Sequence, residues 1–172
     1  NQIEFLEYLI PNDVNKILES KRALYSPLLN ENGGILDDLI VYHLGENNFR
    51  IISNCGTREQ NYAWFKKIAS EFDVQIDFKS DASIIALQGP NSMKNLSSLY
   101  DIKLEKFHLY QDEEVMIART GYTGELGVEI ISDANKGLET WNYFISKGIQ
   151  PIGLAARDTL RLEAGFNLYG SD

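Results

Sequence analysis

Two adjacent carboxylates, Asp37 and Asp38, interrupt an otherwise apolar run, Ile35-Leu36-Asp37-Asp38-Leu39-Ile40-Val41-Tyr42. In such surroundings a carboxylate is either pushed toward its neutral form or held by compensating partners. Either state suits it to orient a substrate or to move a proton. A third acidic residue, Glu129, follows Gly127 by two positions, and the missing side chain there leaves room for a flat group to approach. Arg157 and Arg161 are one helical turn apart and share a face. They form either an anion clamp or, the reading we favour, a network with Asp158 and Glu163. Plainer readings stand beside the others too. The aspartates would be bonded to turn amides at a strand start, and Glu129 would be a solvated strand residue.

Other chemistries find little support. The single cysteine, Cys55, excludes an intrachain disulfide and fits a reducing compartment. His43 and His108 are the only histidines, which argues against a zinc site. A formal charge of −9 argues against a general nucleic-acid surface, so an anionic ligand needs locally placed Arg or Lys. No apolar run approaches the roughly 18 residues of a membrane-spanning helix. The start, Asn1-Gln2-Ile3-Glu4-Phe5-Leu6, has neither the basic beginning nor the apolar core of a signal peptide, and it lacks Met. At 172 residues, 44% hydrophobic and 24% charged, the chain can bury a core as one or two units.

The elements that must position these groups follow from pattern. Residues 4–20 read as helical segments broken near Pro11, with Asn12 or Asp13 as cap and Phe5, Leu6, Leu9, Val14, Ile17 and Leu18 as core. Residues 25–29 are extended, because Pro27 disfavours helix before it. The turn Asn30-Glu31-Asn32-Gly33-Gly34 leads into a strand carrying both aspartates. Successive strand side chains alternate between faces, so Asp38 lies with Leu36, Ile40 and Tyr42, and Asp37 with Ile35, Leu39 and Val41. Both sets are apolar, which predicts a strand covered on both sides. Gly45-Glu46-Asn47-Asn48 then turns into residues 49–53, a hairpin pattern. Thr57-x-x-Gln60 predicts a capping box opening a helix whose apolar side is Trp64, Phe65, Ile68 and Phe72. Strands are expected over 74–78, 84–87 and 114–119, and a short helix after Gly89-Pro90. Gly121-Tyr122-Thr123-Gly124 is a tight connection. Leu126, Val128 and Ile130 continue on one strand face, with Glu129 on the other. Asp133 caps a helix around Trp141 that Gly148 ends, and a last helix covers 155–164. Hairpins alternating with helices make an α+β pattern, with mixed or antiparallel sheets rather than repeated βαβ units.

Four segments together resemble the glycine cleavage system T-protein family of aminomethyltransferases. They are Gly33-Gly34-Ile35-Leu36-Asp37-Asp38-Leu39-Ile40-Val41-Tyr42; Leu87-Gln88-Gly89-Pro90; Gly121-Tyr122-Thr123-Gly124-Glu125-x-Gly127-x-Glu129-Ile130; and Gly153-Leu154-Ala155-Ala156-Arg157-Asp158-Thr159-Leu160-Arg161-Leu162-Glu163-Ala164-Gly165. Their order and approximate spacing match across residues 1–172. The resemblance implies a folate-binding α+β fold with duplicated sub-structures. It implies a partial folate-binding region similar to the middle of a protein roughly twice this length, with the family's first segment and C-terminal β-barrel absent. The family reaction brings an aminomethyl group on the lipoylated H-protein to tetrahydrofolate, a co-substrate, and ammonia leaves. No metal, membrane or nucleic acid takes part. The setting would be bacterial cytoplasm, or the mitochondrial matrix in a eukaryote.

By the same resemblance Asp38 lies nearest the reacting folate nitrogens and is the catalytic residue. Glu129 accepts hydrogen bonds from the donor edge of the pterin. Tyr122 packs beside the pterin, Arg157 makes a polar contact in the same pocket, and Tyr25 and Asn54 line it. Related readings are a folate-dependent demethylase and a non-enzymatic folate-binding regulator. The absence of cysteine from 119–125 disfavours the regulator.

Overall fold

The computed structural model describes residues 1–19 and 21–171. Ser20, at the end of the first expected helical region, and Asp172 lie outside the described residues. The chain divides into two compact units, Asn1–Lys79 and Ser80–Asp172.

The first unit contains helix α1 (Gln2–Leu9), strands β1 (Arg22–Leu29), β2 (Ile35–Gly45) and β3 (Asn48–Ser53), and helix α2 (Arg58–Ala69). The strands form an antiparallel sheet in the order β1-β2-β3. Asn1 caps α1 by accepting from the Ile3 amide. A 3-10 turn, Val14–Ile17, follows behind Asp13, which accepts from the Asn15 amide. Three residues per turn stack Val14 and Ile17 on one inner edge, so both are buried. Leu18 falls off that edge and is exposed, contrary to its expected core position.

One face of β2 carries Asp37, Leu39, Val41 and His43, all buried. Leu39 and Val41 pack with Phe5, Leu6 and Leu9 of α1 and Phe65 and Ile68 of α2. The other face is not sealed as expected: Leu36, Asp38 and Ile40 are only half-buried, although Tyr42 is buried. The alternating pattern of residues 74–78 does not make a strand. Val74 and Ile76 lay their side chains against the core, but among the described residues no strand pairs with their backbone.

The second unit contains β4 (Ala82–Gln88), α3 (Ser92–Leu96), β5 (Leu109–Gln111), β6 (Val115–Ala118), β7 (Gly127–Asp133), α4 (Ala134–Ser146) and α5 (Leu154–Glu163). Its four strands form an antiparallel sheet in the order β4-β7-β6-β5. Leu87, Val115, Ile117, Val128 and Ile130 face a core closed by Leu96 of α3 and Phe144 of α4. Leu126, expected on this face, precedes the strand and is exposed. Asp133 caps α4 by accepting from the Lys136 amide at 2.8 Å, and Gly148 ends it at φ +77°. Strand β5, too short to show a period, was not legible in the pattern. Both units mix helices with antiparallel sheet, the expected α+β class.

Candidate functional site

Asp37 and Asp38 leave β2 on opposite faces and meet different surroundings. Asp37 is fully buried. Its Oδ1 accepts from Asn54 Nδ2 at 2.7 Å, and its Oδ2 accepts from the Thr57 hydroxyl at 2.5 Å and from Asn61 Nδ2. Burial pushes the Asp37 carboxyl up, but the donors Thr57, Asn54 and Asn61 outweigh it and hold the pKa below the ordinary carboxylate value. The compensating-partner alternative is therefore the one realised. The partners are side chains from the β3–α2 connection and α2, joined by the strand amide of Asp38, not turn amides.

That arrangement overturns the expected capping box. Thr57 is the cap residue of α2 by position, yet its side chain makes no capping bond. Its single hydroxyl hydrogen goes to Asp37 instead. Asn61 Nδ2 also donates to Thr57 Oγ1 at 3.2 Å, so the threonine oxygen is itself held from behind.

Asp38 sits half-buried on the more open face. Its Oδ1 accepts from Asn54 Nδ2 at 2.8 Å, and its Oδ2 accepts from the Tyr25 hydroxyl at 3.1 Å. Register explains Tyr25: Pro27 stands opposite Asp38, and Tyr25, two residues along β1, lies diagonal to it on the same face. The two hydrogens of the Asn54 amide nitrogen thus bridge the two carboxylates. Asp38, Tyr25 and Asn54, all expected site residues, come together in the first unit. Two held oxygens leave this carboxylate oriented, with lone pairs still open to a substrate.

In the second unit Glu129 is flanked in register by Ala86 on β4 and Ala118 on β6. With Gly127 two residues before it on the same face, the carboxylate stands on a floor of small residues. It is half-buried rather than solvated. Burial pushes its pKa above the ordinary value, against the smaller opposing effect of the Thr120 hydroxyl, which donates to Oε2 at 2.5 Å. Such a group suits a ligand edge rich in N–H donors.

Gln88 locks the end of this floor, a role that sequence reading did not assign. Its Nε2 donates to the Thr120 and Val128 carbonyls at 3.3 and 3.1 Å, and its Oε1 accepts from Thr123 Oγ1 at 3.1 Å. The side chain fills the space beside Gly121 and Gly127, where a Cβ would come within 2.2 and 2.6 Å of it. The paired glycines around Glu129 were the available signal.

The Arg157 guanidinium lies over the Tyr122 ring, 5.4 Å from its centroid. Tyr122 stacks on Phe166 with centroids 6.0 Å apart, and its hydroxyl donates to the Asn167 carbonyl. Arg161 is buried, donating to Asp158 Oδ1 at 2.8 Å and to the Phe166 carbonyl at 3.1 Å. The two arginines therefore do not act as a clamp. Among the described residues only the Arg161–Asp158 pair of the expected network is seen, and Arg161 also ties down the segment under Tyr122, while Arg157 stays exposed.

The fold has relatives among known proteins. The GCVT N-terminal domain family matches residues 1–172. An aminomethyltransferase from Xanthomonas axonopodis pv. citri (strain 306) is 44% identical over 181 residues, spanning 98% of this chain and 49% of that protein. The crystal structure of glycine cleavage system aminomethyltransferase T from Bartonella henselae superposes with a TM-score of 0.92 at 36% identity, covering 99% of this chain and 48% of that one. The chain thus spans about half the length of the relatives it matches. It belongs to the family of the GCVT N-terminal domain.

Proposed function

We propose that this chain is the folate-contacting part of an aminomethyltransferase of the glycine cleavage system. Asp38 supports this reading most directly. It is an oriented carboxylate with donors on both oxygens, set on the more open face of β2. In the proposed reaction the lipoyl arm of the H-protein presents an aminomethyl group on sulfur. Tetrahydrofolate forms two carbon–nitrogen bonds to that carbon. The carbon–sulfur bond breaks to give a thiol, and the original carbon–nitrogen bond breaks to release ammonia. The two protons lost by the folate nitrogens balance those gained by sulfur and ammonia.

Asp38 would orient the attacking nitrogens, move protons and stabilise the cationic carbon centre. Glu129 would accept from the donor edge of the pterin, Tyr122 would pack beside that ring, and Tyr25 and Asn54 would line the reacting end. Arg157 would supply a polar contact that offsets part of the strongly acidic charge of the chain. The test is ammonia release by the full-length protein from aminomethylated H-protein, with and without tetrahydrofolate. Release that depends on folate is the expected result. None, with a folded protein, overturns the reading.

A further inference from the structure

Asp37 is an acceptor hub: the side chains it holds belong to the β3–α2 connection and α2, and the Asp38 backbone N–H adds a further donor. Asn61 and Thr57 fix its Oδ2, and its Oδ1 fixes Asn54. The nitrogen held at 2.7 Å by Asp37 donates its other hydrogen to Asp38 at 2.8 Å. Asn54 itself is exposed and makes no capping bond, so nothing in its own helix turn selects this rotamer. The carboxylate behind it does. Asp37, with its pKa held low, presents acceptors only, so it can take the amide in one orientation, nitrogen inward. Asn61 is almost fully buried, and its Oδ1 has no hydrogen-bond partner among the described residues, which leaves its amide nitrogen as the bonded end.

We propose that Asp37 is a positioning residue for the reaction, acting through Asn54 to set the Asp38 carboxylate, with Thr57 and Asn61 as its anchors. The inference rests on the proposed function, in which Asp38 is catalytic. Asp37 touches no substrate. Converting it to Asn removes the charge and turns one of the two acceptor oxygens into a donor, so Thr57, Asn61 and Asn54 can no longer all donate to it, and the hold on the Asn54 amide loosens.

The experiment is a double-mutant cycle in the full-length protein. Asp37→Asn is expected to lower kcat about tenfold, the scale of one lost hydrogen bond to a charged group, with KM for tetrahydrofolate within about twofold. In an Asn54→Ala background the same change lowers kcat no further, because the intermediary is gone. Additive losses, or normal kcat in folded Asp37→Asn, overturn the proposal. If Asp37→Asn does not fold, Thr57→Val replaces it in the cycle, and Thr57→Ser, which keeps the hydroxyl, should restore most of the rate. An equal loss in Thr57→Ser and Thr57→Val overturns it.

A second readout needs no turnover. In ligand-free protein, the Asn54 side-chain N–H signals should be shifted and slow to exchange in 15N–1H spectra, and should collapse toward free asparagine in Asp37→Asn and Thr57→Val. Unchanged signals in both variants overturn the positioning role. An inactive wild-type enzyme would instead overturn the proposed function and leave this readout to decide the geometry.

Discussion

Thr120 donates its hydroxyl to Glu129 across 2.5 Å, from just past the end of β6 to the neighbouring strand β7. The bond favours the ionised carboxylate, yet burial wins and the Glu129 pKa stands above its ordinary value. A raised carboxyl pKa means that the folded state holds its proton more tightly than the unfolded chain. Stability then declines as pH rises from the unfolded value through the folded one. Glu129→Gln keeps an acceptor for Thr120 and cannot ionise. It should melt higher than the wild type at pH 7, and the difference should vanish below the ordinary carboxylate range. Thermal melts across pH check this.

The same residue should show the opposite effect in binding. A carboxylate facing paired N–H donors makes charge-assisted hydrogen bonds, and leaving such donors unmatched costs about 1–3 kcal/mol. Glu129→Ala should lose about tenfold or more in tetrahydrofolate affinity. Wild-type affinity should fall as pH drops through the raised pKa, because the protonated form must first give up its proton. Titration calorimetry on the full-length protein measures both, and pH-independent affinity would remove Glu129 from pterin recognition.

Asp38→Asn should leave the fold nearly intact, since the side chain is half-buried and outside the apolar core. Turnover should fall about a hundredfold or more, the usual scale for removing a positioned acid or base. Steady-state transfer beside a melting curve separates the two effects. Near-normal turnover would exclude Asp38 from the chemistry.

Asp37 should carry an acid-sensitive share of stability. Its pKa is depressed in the fold, so its contribution is fully present above the unfolded value and is lost as pH falls through the folded value. The stability gap between wild type and Asp37→Asn, taken from urea midpoints, should be largest near neutrality and shrink at acid pH.

Gly127→Ala should destabilise by about 1–3 kcal/mol, as overpacking does. Its Cβ would stand 2.4 Å from the Leu87 carbonyl oxygen, a backbone atom of the paired strand, so a side-chain rotation cannot relieve it. Denaturant unfolding measures the loss.

Much of this layout was legible in the residues, and the exceptions are instructive. The period of two alone sets Asp37 and Asp38 on opposite faces. It could not say which face would be sealed, because that depends on where α1 and α2 dock. Thr57-x-x-Gln60 carries the signature of a capping box, but a buried carboxylate 20 residues away competes for the same hydroxyl and wins. Residues 74–78 alternate as a strand does, yet among the described residues they join no sheet. Gln88 was visible as part of a motif but not as a lock, since its function depends on two glycines more than 30 residues downstream.

The opposed placement of Asp37 and Asp38 also makes the turn before them a frame-setting device. Shifting β2 by one residue against its neighbours would exchange the two faces. The aspartate now buried would move to the open side, and its neighbour would enter the buried face, meeting Thr57 and Asn61 after a slip in one direction and the apolar position of Leu39 after a slip in the other. The turn between β1 and β2 holds its length by closing on itself. The amides of Asn32 and Gly34 bind the Asn30 side chain, and the Asn30 amide binds the Gly34 carbonyl. The irregularity between Leu28 and Leu29 lies just inside it and absorbs one step of register before the aspartates are reached. An insertion or deletion in this five-residue hinge would therefore change which carboxylate the protein offers to chemistry, without altering either aspartate.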